Sequence, residues 1–236
     1  MKIITWNCNK AFRKKFICIN TFNADILVIQ EAENTSKLAS YKHNINFSNH
    51  LSVGNENSSL SIFTFNNYKA ILHKSYNPNI EYALPVEIIK PNGEKFFLLG
   101  IWTKKTTNGS YIVQANRALQ YYEGFINEKA IVLGDFNANA LWDKKHKVDD
   151  FEHHFLYLTK NFSKINFHSV YHYIHNIQYG CEVHPTLFFR KNIESTYHID
   201  YVFMHKNIIN NVKDFKIGTD YLKYSDHMPL FFYNLI

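Results

Sequence analysis

The sequence predicts an α/β protein in which two mixed β-sheets pack against each other, and three observations lead there. Segments with the β-branched and aromatic alternation of strands outnumber segments with helical spacing. Few connections are long enough to be helical crossovers, which suits two packed sheets better than one doubly wound parallel sheet. A chain of 236 residues can bury one large core, so a single domain over 1–236 is expected.

In chain order, strands are expected near 2–6, 25–30, 60–65, 69–73, 84–89, 95–102, 130–134, 185–189, 198–204, 212–217 and 228–233. A helix near 11–22 joins the first two. Ala115, Leu119, Tyr122 and Ile126 fall on one face of a helix of about four turns that ends before the 130–134 strand. Phe151, Phe155 and Leu158 predict a further helix beyond it.

Composition narrows the class. Hydrophobic residues make up 46% and aromatics 17%, with only 8 Gly and 5 Pro, which describes a globular chain without linker or low-complexity segment. The formal charge of +6 and pI near 9.0 favour approach of a polyanion. Part of that charge is local: Lys10, Arg13, Lys14 and Lys15 follow the first strand, and Lys144, Lys145 and Lys147 follow residues 134–137. No apolar stretch approaches the roughly 20 residues of a membrane span, and the start of the chain carries no export signal, so an unexported, cytoplasmic protein is expected. Cys8, Cys18 and Cys181 are odd in number and lack CxxC spacing, which suggests neither a disulfide framework nor a zinc site. His168, His172, His175 and His184 lack the HExxH pattern and are read as surface or hydrogen-bonded residues.

Five apolar runs carry an acid or amide at one end. Ile3-Ile4 leads to Asn7, Ile26–Ile29 to Glu31, and Ala130–Leu133 to Gly134-Asp135-Phe136-Asn137; Ser225-Asp226-His227 precedes Pro229, and His198-Ile199-Asp200-Tyr201 opens the last of the five. Any one of these could be ordinary turn chemistry. Together they place several oxygens at the ends of buried strands, where a hard cation such as Mg²⁺ finds carboxylate, amide and water ligands.

On these motifs and their order, from Trp6-Asn7 to Ser225-Asp226-His227-Met228-Pro229, nearly the whole chain resembles the endonuclease/exonuclease/phosphatase superfamily of Mg²⁺-dependent phosphohydrolases. The resemblance implies a four-layered α/β sandwich, two sheets face to face with helices outside and the active site at one end. It implies Mg²⁺, with Mn²⁺ able to substitute, held by Glu31 with Asn7 nearby and Asp226 as a further ligand. It also pairs His227 with Asp200, gives Asp135 the attacking water, and gives the Asn137 amide a phosphoryl oxygen.

One position departs from the family pattern. Where a His or Tyr often follows the strand ending Leu99-Gly100-Ile101, this chain has Trp102, whose indole offers only a weak N–H donor. Mg²⁺ and its water, Lys104 or Tyr111 could supply the missing group, and Trp102 could either stack on a base or sugar or pack in the core. With Arg13, Lys14, Lys144 and Lys145 as phosphate contacts, the expected activity is a Mg²⁺-dependent nuclease acting on nucleic acid, DNA first, without a membrane or an obligate protein partner. The alternatives are a phosphatase or phosphodiesterase for a small phosphorylated metabolite, and a nucleic-acid-binding module without catalysis.

Overall fold

A computed structural model describes residues 1–40, 45–105, 109–145, 147 and 150–234. The chain runs β1 (Lys2–Asn7), α1 (Phe12–Asn20), β2 (Ile26–Ala32), α2 (Thr35–Ala39), β3 (Asn49–Asn55) and β4 (Ser58–Thr64). It continues through β5 (Lys69–Leu72), β6 (Ala83–Ile89), β7 (Lys95–Trp102), α3 (Tyr111–Tyr121), β8 (Ala130–Asp135), α4 (Phe155–Lys164), β9 (Phe167–Ser169) and α5 (Val170–His175). The last elements are β10 (Leu187–Phe188), β11 (Thr196–Tyr197), β12 (Asp200–His205), α6 (Lys206–Ile209), β13 (Val212–Ile217) and β14 (Leu230–Asn234).

Two mixed six-stranded sheets result among the described residues, ordered β13-β14-β1-β2-β4-β3 and β5-β6-β7-β8-β12-β9. Parallel pairing is confined to the two strand pairs joined through a helix, β1 with β2 and β7 with β8. Alternation along each strand sorts the apolar residues into three layers. Ile3, Val28, Leu60, Leu98, Leu133 and Val202 fill the space between the sheets. Phe12 and Phe16 of α1 cover Ile4, Leu27 and Ile29 on the outside of the first sheet. On the outside of the second, α3 and α4 cover Leu99, Val132 and Phe203. This is the expected sandwich with helices outside. No described helix is long and apolar enough to cross a membrane.

Several boundaries differ from expectation for local reasons. The helix expected through Ile126 ends at Tyr121, before Gly124, and Tyr122 and Ile126 reach the same apolar layer from the turns that follow. The helix expected to include Phe151 starts at Phe155 instead, because both carboxylate oxygens of Asp143 accept the N–H groups of Phe155 and Leu156 at 2.7 and 2.9 Å and cap it there. Phe151 stays on a separate 3₁₀ turn and is exposed. Strand β3 was not anticipated because Asn49, His50, Ser52 and Asn55 give a sheet edge no apolar alternation.

Candidate active site

The site forms where β1, β2, β8 and β12 end together. Strand β8 lies against β1 and β2 of the facing sheet, and Asp200 of β12 is the direct register partner of Asp135 of β8. Gly134 lets β8 lie close to its in-sheet neighbour β7: its φ is 140°, and a Cβ there would stand 1.9 Å from the Ile101 carbonyl oxygen.

Asp135 is fully buried and accepts three N–H groups, from Asn7 Nδ2 at 2.9 Å and from the Asn137 backbone and Nδ2 at 2.9 and 2.8 Å. Burial raises its pKa, an effect tempered by the nearby His227 and reinforced by Asp200. His227 Nδ1 donates to Asp200 Oδ2 at 3.0 Å and is 3.2 Å from Oδ1. Burial alone would favour the neutral imidazole, but Asp200, Asp135 and Asp226 outweigh it and hold the ring protonated, well above the usual histidine range. Asp135, Asp200 and His227 offer ligand-type atoms that all lie within 4.8 Å of one another.

Asn7 bridges the buried and open parts of the site. Its Nδ2 donates to Glu31 Oε1 at 3.3 Å as well as to Asp135, and its Oδ1 accepts the Asn9 N–H at 3.1 Å. Asn9 in turn donates to Asp226 Oδ1 at 3.1 Å. Glu31 reaches this group through a β-bulge. Between Ile29 and Ala32, β2 carries one residue more than β4 opposite, and Glu31 takes a left-handed φ of 61°. Ala32 thereby returns to the outer face of Leu27 and Ile29, while Glu31 turns to Asn7. A non-glycine residue in that region costs about 1–3 kcal/mol and persists only where its surroundings impose it.

The loops are tied by residues that sequence reasoning gave no role. Ser225 Oγ donates to the Asn7 carbonyl at 2.7 Å and accepts the His227 N–H at 3.0 Å. Trp6 Nε1 donates to the His227 carbonyl at 2.9 Å. Thr186 Oγ1 accepts the N–H groups of Ile199 and Asp200 at 2.9 and 3.0 Å, and its carbonyl accepts Met228 N–H at 2.7 Å. Thr186 falls inside the strand expected near 185–189, which gave no hint of this.

The structure brings Asn7, Glu31, Asp135, Asn137, Asp200, Asp226 and His227 together, but it corrects other expectations. Trp102 is buried between the sheets, 3% exposed, so its ring is not open to a base. Arg13 pairs with the buried Glu33, and its guanidinium is committed to the fold. Lys15 likewise clamps the carbonyls of Cys8 and Asn9, at 2.6 and 2.8 Å. The Asn137 amide, expected to face a phosphoryl oxygen, donates to Asp135 and to the Thr103 carbonyl. Lys14, Lys144 and Lys145 are exposed, and Lys104 is half-buried beside Trp102.

No protein-family model matches the sequence, and no curated protein does. Solved structures match over nearly the whole chain. An AP endonuclease from Archaeoglobus fulgidus is 17% identical with a TM-score of 0.72 and covers 100% of both chains. An AP endonuclease from Leishmania major is 13% identical, with a TM-score of 0.69 over 98% of this chain and 86% of that one. A 3′-5′ exonuclease from Neisseria meningitidis is 15% identical, with a TM-score of 0.67 over 99% of both. This chain therefore shares the fold of these solved endonucleases and exonuclease.

Proposed function

We propose that this protein is a metal-dependent phosphodiesterase that hydrolyses DNA. The observation that carries the reading is the convergence of four carboxylates, an amide and a histidine from separate chain segments at one end of a two-sheet sandwich. Such a site can neutralise a phosphodiester, position water and balance the charge that develops on oxygen.

The donor set suits a hard divalent ion. Glu31 and Asp226 contribute carboxylate oxygens, Asn7 and Asn9 amide groups, and no thiolate is among them, which fits Mg²⁺ with Mn²⁺ as a substitute. Glu31 and Asp226 would hold the ion, which supplies Lewis-acid neutralisation of phosphoryl charge. The tighter Asp135–Asp200–His227 group is the less suitable holder. Asp135 already accepts three N–H groups, and His227 Nδ1 is taken by Asp200.

That group fits the proton chemistry instead. Asp135, raised by burial toward the range of a working base, takes a proton from the attacking water. His227, kept cationic with Nε2 free of protein partners among the described residues, donates to a phosphate oxygen. Asp200 fixes the ring, and Asn7 and Asn137 fix Asp135. The choice of DNA is supported by the net charge of +6, the exposed cations Lys14, Lys144 and Lys145, and the DNA enzymes that share the fold.

The test is hydrolysis of plasmid, abasic duplex and single-stranded DNA with Mg²⁺, with EDTA as control, beside nucleotide phosphates. The expected result is EDTA-sensitive DNA cleavage whose substrate affinity falls steeply with salt, a slope flattened by replacing Lys144 and Lys145 with Ala. If DNA is neither bound at about 50 mM salt nor cut while a small phosphoester is turned over, DNA is the wrong substrate.

A further inference from the structure

The burial of Trp102 raises the question of what its ring does, and the residue two places on supplies an answer. Lys104 Nζ lies 3.7 Å from the centroid of the Trp102 ring and 4.3 Å from that of Tyr82. The two rings meet edge to face at 4.8 Å and 69°. An ammonium this close to two aromatic rings is attracted by their quadrupoles. The pair thus forms a seat for the lysine head group.

The backbone is strained where the seat is built. Tyr82 adopts φ 55°, a left-handed conformation that a bulky side chain rarely takes, and its carbonyl accepts the Trp102 N–H at 3.0 Å. Its ring also rests against Gly54 of the facing sheet, where a Cβ would stand 2.9 Å from Tyr82 Cε1. A strained tyrosine and a glycine from different sheets therefore meet at one structure, and what they hold is Lys104.

The seat adjoins the reacting groups. Thr103 N–H donates to the Asp135 carbonyl at 3.0 Å, its Oγ1 donates to the Phe136 carbonyl at 2.5 Å, and its carbonyl accepts Asn137 Nδ2 at 3.1 Å. Lys104 follows this stitched residue directly. It makes no ion pair among the described residues, and Glu31, Lys10 and Glu81 are the charges that influence it. A free lysine is a flexible point charge that must be ordered when an anion binds; a seated one is ordered beforehand.

We propose that Lys104 is a substrate-binding residue that presents a pre-ordered ammonium to a phosphate oxygen, and that Trp102 and Tyr82 are positioning residues that seat it. The role rests on the phosphodiesterase reading of the site, and one arm of its test does not. Full-length wild type, Lys104→Met, Lys104→Arg, Tyr82→Leu and the Lys104→Met/Tyr82→Leu double variant are compared in two measurements. One is KM and kcat for bis(p-nitrophenyl) phosphate with Mg²⁺. The other is the ¹H–¹³C resonance of the Lys104 ε-methylene, identified by its loss in Lys104→Met and titrated with inorganic phosphate.

Lys104→Met should raise KM about 10-fold or more with a smaller change in kcat, and Lys104→Arg should recover part of it. The ε resonance should lie upfield under the two rings, move toward the free-lysine position in Tyr82→Leu, and shift when phosphate is added. The double variant should be within about 2-fold of Lys104→Met, because both changes remove one device. An unchanged KM in Lys104→Met overturns the proposal, and so do losses that multiply in the double variant. Should no phosphoester be turned over, the catalytic reading fails, and the resonance alone decides the seat: a shift with phosphate sustains it, and indifference to phosphate overturns it.

Discussion

His227 meets Asp200 at 3.0 Å, and His172 meets Glu182 at 2.9 Å; all four side chains are buried, yet the two pairs have different neighbours. Around His172 every polar atom is answered. Its Nδ1 faces Ser169 Oγ at 2.8 Å, and Glu182 also accepts the Gly180 N–H and Asn139 Nδ2 at 3.0 and 3.2 Å. Around His227 the pairing is incomplete. Only Nδ1 is engaged among the described residues, and two further carboxylates, Asp135 and Asp226, act on the ring. A histidine–carboxylate contact is therefore not by itself a catalytic signature. What distinguishes the reactive pair is a ring nitrogen left for a substrate, in a field of surplus negative charge that keeps the ring protonated.

The largest expected effect that would break this contrast is at Asp135. Asp135→Asn preserves shape but removes the base, and turnover of a phosphodiester should fall about 10³-fold with substrate affinity little changed. A collapse of affinity with turnover preserved would make Asp135 a binding residue. On the sealed side the effect should be on stability. His172→Ala leaves Glu182 buried without its partner and should cost about 3–5 kcal/mol in denaturant unfolding, with turnover close to wild type below the transition. A stable variant with lost turnover would erase the distinction between the two pairs.

A smaller effect is expected at the open edge. Glu31→Gln should weaken Mg²⁺ dependence and lower turnover about 10²-fold, as loss of a charged ligand does. Wild-type metal titration in that variant would remove Glu31 from the ion's ligands.

How much of this contrast could be read from the chain depends on the kind of interaction. Asp135, Asp200, Asp226 and His227 were legible because each stands at one end of an apolar run and belongs to a motif that carries the family resemblance; the structure brings them together from both sheets. The strand pattern likewise located most of both sheets. The turn of Glu31 toward Asn7 was not legible, since it depends on a bulge set by the partner strand β4. Neither was the fate of Arg13, whose partner Glu33 is twenty residues away, nor the burial of Trp102 under Lys104. Such facts depend on which residues meet across the sandwich, and residue type alone carries no record of that. The difference between His172 and His227 belongs to the same class, because it lies in what surrounds each ring.

The smallest expected effect is the pH response of folding. Burial would raise Glu182, but His172, the Gly180 N–H and Asn139 outweigh it and depress its pKa to about 2. Its stabilising contribution should be complete above about pH 4.5, the unfolded value, and be lost as pH falls through about 2. His198 is lowered by burial to about 4, so it folds neutral and its contribution should be complete above pH 6.5 and decline as pH falls toward 4. Thermal unfolding followed from pH 7 to pH 2 should therefore lose stability in two stages. Glu182→Gln should reduce the lower stage, and His198→Gln should reduce the upper, which His50, also lowered by burial to about 4, shares; a profile unaltered by either would sever these groups from the sealed network.

The two pairs differ in function because one has an open ring nitrogen and the other does not. Single-turnover cleavage of one DNA duplex with Mg²⁺, compared in wild type, His227→Gln and His172→Gln at a temperature where all three are folded, tests it most directly. The rate should fall about 10³-fold for His227→Gln and less than about 10-fold for His172→Gln. Equal losses in the two variants, or cleavage by His227→Gln at the wild-type rate, would contradict it.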